Sequence, residues 1–94
     1  MKNPDRDTVA HLDALPNIGP AMARDLRRVG IDHPLQLRGR DADELYRKLC
    51  EVTGRRHDPC VIDVFRSAIR FMEGDEARPW WAYTPLRKAA ERGE

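Results

Sequence analysis

Cysteine is scarce in this chain. Cys50 and Cys60 are the only two in 94 residues, too few to define a disulfide framework. Long apolar runs are missing, so no segment reads as a membrane span. The opening residues, MKNPDRDTVAHL, carry no apolar h-region and hence no visible secretory signal. These absences lead to the expectation of a cytoplasmic protein, away from membranes, with both cysteines reduced. An excess of positive charge is missing too. The 17 Lys and Arg face 16 Asp and Glu, leaving a net charge of +1. A histone-like polycation is excluded, but a local basic patch is not, because counterion release depends on the charges that touch phosphate. No strand-type alternation of apolar and polar residues occurs, which argues against a sheet. There is no Ser-His-Asp spacing, no glycine-rich phosphate loop and no carboxylate pair on one face, so no enzyme is read from the chain.

What is present is a helical pattern that suits one small domain over residues 1–94. Thr8 is expected to cap a first helix carrying Val9, Leu12 and Leu15, stopped by Pro16. Pro20 fits the first turn of a second helix, with Ala23, Leu26 and Val29 on one side and Gly30 at its end. Pro34 opens a short turn over Leu35 and Leu37. Asp41 with Glu44 reads as a capping-box-like start to a helix with the stripe Leu45, Leu49, Val52, closed by Gly54. Asp58-Pro59 starts the next, whose stripe is Val61, Val64, Phe65, Ala68, Ile69 and Met72, ending at Gly74. Residues 75–94 form a tail, first aromatic and then polar, in which Thr84-Pro85 caps a last helix. Residues 8–29 are the hairpin and 31–74 its helical extension. The expected fold is all-α: a compact bundle of about four to five helices with an aromatic C-terminal tail.

Leu12-x-x-Leu15-Pro16-x-Ile18-Gly19-x-x-x-Ala23-x-x-Leu26 resembles the helix-hairpin-helix motif of DNA-binding proteins, a SAM-like geometry. Leu12, Leu15 and Leu26 would bury the helices against each other, and Ile18 would plug the turn. Gly19 would allow a backbone shape, or a close approach, that a Cβ hinders. Free N–H groups at the start of the second helix would then meet a phosphate oxygen. The resemblance implies contact with the DNA backbone, without sequence reading, often helped by a monovalent cation and no other cofactor. Asn17 stands where the motif usually has its first glycine, and Asn tolerates positive φ. Pro20 and Ala21 stand where the family often has Lys or Arg, and Arg24, Arg27 and Arg28 supply charge later. The segments LPNIGPAMARDL, LYRKLCEVTG, RHDPCVIDVFR and PWWAYT together resemble a family of small bacterial helix-hairpin-helix proteins labelled pathogenicity locus, or mitomycin-resistance-like. The region after the hairpin resembles the C-terminal domain of TfoX competence regulators.

The expected function is weak, largely sequence-independent DNA binding, as an accessory in repair, recombination or uptake. Asn17, Ile18, Gly19 and Ala21 would contact the backbone, with charge from Arg24 and Arg28. Arg55 and Arg56, with Arg38 and Arg40, form a second basic group. Two other readings stay open: a helical adaptor with a protein partner and no DNA, and a redox or metal sensor through Cys50, His57 and Cys60. The metal needs a fourth ligand, from Asp58 or His33. Cys60, in the first turn of its helix, is also a candidate reactive thiol. Trp80 and Trp81 are expected to dock onto the core rather than stack on bases.

Overall fold

The computed structural model describes residues 1–93. Four α-helices carry them: α1 (Pro20–Arg28), α2 (Ala42–Thr53), α3 (Cys60–Met72) and α4 (Thr84–Glu91). Three short 3-10 turns lie between them, at Leu12–Ala14, Pro34–Leu37 and Trp80–Tyr83. No strand occurs among the described residues. The all-α bundle expected from the periodicity is what forms.

One core holds it together. Leu12, Leu15 and Ile18 from the hairpin meet Leu26, Leu45, Leu49 and Phe65 from the three longer helices, all at 0–1% exposure. The 13-residue α3 is central, packing on α2, on α4 and on two of the 3-10 turns.

The helix ends follow local chemistry. At α1, Ile31 N bonds Leu26 O at 3.0 Å and Gly30 N bonds Arg27 O at 3.0 Å. That closure needs a left-handed residue, and Gly30 takes it at φ 91° without a Cβ penalty. Gly54 and Gly74 end α2 and α3 in the same way.

Several expectations are corrected. The first helix is only a 3-10 turn of three residues. Pro16 disfavours helical backbone at the residue before it, and Leu15 is extended at ψ 152°. Too few residues then remain to propagate an α-helix. Asp41 does cap α2 through Asp43 N at 2.9 Å, but Glu44 pairs with Arg40 instead of closing a box. The reciprocal box sits at His33 and Gln36. Val52 is 53% exposed. In that last turn of α2 it is Thr53 that is engaged, bonding Leu49 O at 2.7 Å. Thr84 does not cap α4, since its hydroxyl donates to Asp63 Oδ2 at 2.9 Å.

The tail docks differently from expectation. A 3-10 helix repeats every three residues, so Trp80 and Tyr83 share a face and Trp81 points elsewhere. Tyr83 is buried, Trp80 half-buried, and Trp81 61% exposed. The tail is nonetheless fastened. Asp63, fully buried on α3, accepts from Thr84 and from Arg87 Nε at 3.1 Å and 3.2 Å. A buried carboxylate survives only with such partners.

Candidate nucleic-acid interface

The hairpin turn begins where Pro16 forces extended backbone on Leu15. Asn17 is the one non-glycine residue at positive φ among those described, at 67°, a conformation Asn reaches more easily than most. Its side-chain Nδ2 donates to Ser67 Oγ at 3.1 Å and to Arg78 O at 2.7 Å. The turn is thus tied to both α3 and the tail. Ile18 is fully buried, so it plugs the turn as expected and offers only backbone to a ligand.

Gly19 differs from expectation. Its backbone is extended, at φ −95° and ψ −176°, which any residue adopts. A Cβ built there meets nothing within 4 Å. The left-handed conformation belongs to Asn17, and what Gly19 contributes is open space in front of α1.

No side chain caps α1. Pro20 has no N–H, and Ala23 N is bonded to Gly19 O at 2.9 Å. The N–H groups of Ala21 and Met22 are those that helix geometry leaves without an intrahelical carbonyl. Pro20, Ala21 and Arg24 are all exposed. Arg24 lies one turn, about 6 Å, along the axis, while Arg28 lies about 12 Å from the helix start. Arg28 also pairs with Asp25 at 2.6 Å and lines a separate concavity of about 460 Å³ with Val52, Thr53 and Arg55. Asn17, Ile18, Gly19 and Ala21 therefore gather at the start of α1, Arg24 stands at its middle, and Arg28 at its far end.

The sequence reading missed Lys2. Its ammonium donates to the carbonyls of Asp13 at 2.6 Å and Ile18 at 2.5 Å. Both acceptors are backbone carbonyl oxygens at the ends of the turn, so a positive charge sits beside it. No local pattern points to a lysine 16 residues away from its partner. Of the second basic group, Arg38 is held by Met72 O at 3.0 Å and Arg40 by Glu44, whereas Arg55 and Arg56 are exposed.

His57 and Cys60 each have local partners of their own, and Cys50 and Cys60 are both free thiols. His57 is buried, its Nε2 lies 2.8 Å from Thr53 Oγ1, and its carbonyl accepts the Tyr46 hydroxyl. His33 Nδ1 accepts from Leu35 N at 3.1 Å. Among the described residues, no three His, Cys, Asp or Glu side chains converge to hold a metal. Asp58 accepts from Cys60 N at 2.8 Å, which holds its carboxyl below the usual range. The hydrogen bond between that carboxylate and the thiol, with burial added, pushes Cys60 up. The Asp58 carboxylate beside it thus holds the Cys60 thiol in the direction opposite to a reactive, low-pKa cysteine.

The tail makes a second concavity. Trp80 and Trp81 meet edge to face, 5.6 Å between ring centres and 83° between planes. With α4 they border a groove of about 620 Å³.

Comparison with known proteins adds two findings. A family model described as pathogenicity locus (Cdd1) matches residues 5–89. The chain is similar to the mitomycin resistance protein McrB of Streptomyces lavendulae, with 47% identity over 83 residues, 88% of this chain and 79% of that protein. No solved structure matches.

Proposed function

The chain belongs to the pathogenicity locus family, and from that premise we propose that it is a DNA-binding accessory protein whose hairpin grips phosphates with little sequence preference. The motif would be a helix-hairpin-helix variant in which the first helix is reduced to one 3-10 turn. One observation carries this: α1 starts uncapped, behind a glycine with open space before it, with exposed Ala21 and Arg24 alongside. Helix N–H groups left without carbonyls are a ready site for a phosphate oxygen. The protein would work in the cytoplasm, in repair, recombination or uptake, and no catalytic step is part of the proposal.

Few contacts at a net charge of +1 mean weak binding. A hairpin touching two or three phosphates gives a salt slope of about −2 to −3, with affinity on the order of 10⁻⁴ to 10⁻⁶ M. Sequence should matter little, because phosphates carry none of it. Titration of a short duplex at two salt concentrations tests this with Gly19→Val and Arg24→Ala. Gly19→Val adds bulk where a phosphate would approach, at a backbone that valine adopts without strain. Weakened binding in both folded variants supports the hairpin. Wild-type affinity in both, or no salt-dependent binding at all, would leave it a structural turn and make a protein-binding adaptor the better account.

A further inference from the structure

The groove beside the tail has no task in the hairpin scheme. It is lined by Trp80 and Trp81, by Cys60, by Arg87 and Lys88 of α4, and by Arg92 just after that helix. Trp81 is 61% exposed in a domain with a well-filled core. An indole left in water forgoes apolar burial that a small domain could use.

From this groove we infer that an unpaired nucleotide of single-stranded DNA binds here, its base stacked on Trp81 and its phosphate beside Lys88.

Three observations carry it. The first is charge. Lys88 and Arg92 edge the groove; Arg87 lines it too, but its charge is taken up by Asp63 and Glu91, and the Asp58 carboxylate lies beside Cys60. Lys88 lies in α4 and Arg92 is the residue that follows its end, still in helical backbone, so the two, four apart, lie on the same side. A flat aromatic wall opposite positive charge matches a base with its phosphate and is how single strands are held without sequence reading.

The second is rigidity. Pro79 precedes the tryptophans and Pro85 follows them. Tyr83 is buried below, and the Asp63–Arg87–Thr84 set pins α4. The edge-to-face contact fixes the two rings at 83°. Little order is lost when a base arrives, which favours affinity.

The third is position. Asn17 in the hairpin turn bonds Arg78 O. Trp80 follows two residues later, each step adding at most about 3.8 Å. The aromatic corner and the hairpin turn therefore neighbour each other, and one strand leaving a duplex held at α1 can reach the groove. The groove shares its ligand class with the hairpin, yet each can fail alone.

The test uses labelled oligothymidylate and a duplex of equal length, read by anisotropy, with Trp81→Ala and Lys88→Ala. Both side chains are exposed, so their removal should spare the fold. Trp81→Ala should weaken oligothymidylate binding about five- to a hundred-fold, the loss expected for one stacking platform. Lys88→Ala should reduce the salt slope by about one. Duplex binding should change little in either variant. Gly19→Val should show the reverse, losing duplex while keeping single strand. Failure of the groove alone leaves the hairpin proposal standing, and loss of duplex binding alone leaves the groove. Unchanged oligothymidylate affinity in both groove variants would overturn the inference. Free thymidine monophosphate binding as tightly as the oligonucleotide would overturn its single-strand part. A wild-type dimer that Trp81→Ala dissociates would instead give the groove to a second copy and overturn the inference outright.

Discussion

The side-chain amide of Asn17 donates to the carbonyl oxygen of Arg78 at 2.7 Å, across 61 positions of sequence. A residue chosen for a tight turn thereby holds the tail against the hairpin. Its second bond, to Ser67 Oγ, fixes the same turn to the middle of α3. Asn at this position thus combines a left-handed backbone, at φ 67°, with two long-range side-chain bonds.

Asn17→Gly and Asn17→Ala separate those two roles. Glycine keeps the backbone but loses both side-chain bonds, each worth about 0.5–1.5 kcal/mol net. Alanine loses the bonds and adds a left-handed strain of about 1–2 kcal/mol. Both should lower stability in chemical denaturation, Asn17→Ala more than Asn17→Gly. An alanine variant as stable as the glycine variant would mean that backbone strain counts for nothing here.

Asp63 is the buried hub of the tail. Removing one partner of a buried charge pair leaves the other uncompensated, at about 3–5 kcal/mol. Asp63→Ala should therefore lower the melting temperature by roughly 12–40 °C. The double variant Asp63→Leu with Arg87→Met should recover much of that loss, since an apolar pair leaves no orphan charge. Circular-dichroism melting checks both, and a shift of only a few degrees in Asp63→Ala would refute the assignment.

Tyr83 carries a buried hydroxyl without a hydrogen-bond partner among the described residues, and burial pushes its ionisation up. An unpaired buried polar group costs free energy. Tyr83→Phe should accordingly stabilise the protein by about 1 kcal/mol. Destabilisation of that size would point instead to a partner for the hydroxyl.

Much of this was legible locally. Gly30, Gly54 and Gly74 end helices because three-residue patterns of termination are chemical and short-ranged. The burial of Leu12, Leu15 and Leu26 followed from helical spacing, whereas Asn17's left-handed backbone and the plug at Ile18 came from the resemblance to a hairpin motif. Long-range polar pairs were not legible. Lys2 reaches Ile18, and Arg87 reaches Asp63, across spans that periodicity cannot connect. One signal was there to be used: Asp63 sits inside the apolar run VIDVFRSAI, and a carboxylate so placed needs a cation. Val52 and Trp81 failed the other way. Each is apolar and sits in an apolar stripe or cluster, yet nothing packs over them, and only the tertiary arrangement decides that.

Cys60 offers a pH test. The Asp58 carboxylate favours the protonated thiol through its hydrogen bond and its charge. Asp58→Asn keeps a side chain able to cap Cys60 N but removes the negative charge. The thiol should then ionise at lower pH, and alkylation by iodoacetamide near neutral pH should speed up. For the wild type, the raised folded-state value means a contribution to stability that is full below the unfolded thiol's range and fades as pH rises through the folded one. Asp58 acts in the opposite sense: its folded value is lowered, so its contribution is full above the unfolded carboxylate's range and fades as pH falls through the folded one. Mass spectrometry resolves Cys60 from Cys50 in the alkylation series. An unchanged or slower rate at Cys60 in Asp58→Asn would contradict the carboxylate's role.

Lys2 gives the remaining prediction. Its ammonium lies against the carbonyl oxygens of Asp13 and Ile18, beside the turn that leads into the uncapped end of α1. A phosphate bound by the N–H groups of Ala21 and Met22 would meet a fixed positive charge there, supplied by the chain itself. If the ammonium stands in for a cation from solution, DNA affinity should differ little between sodium and potassium chloride at equal ionic strength, because Lys2 already lies against the Asp13 and Ile18 carbonyls. Lys2→Ala should weaken duplex binding, reduce the salt slope by about one, and make affinity depend on which monovalent cation is present. Lys2→Ala also gives up two hydrogen bonds to the turn, so melting is measured alongside, and a loss of binding in a variant that melts like the wild type is assigned to the charge rather than to the fold. Duplex titrations of both proteins in the two salts make the comparison. If Lys2→Ala binds like the wild type with the same slope in both salts, the ammonium only fastens the N-terminus to the turn, and the phosphate site draws its charge from Arg24.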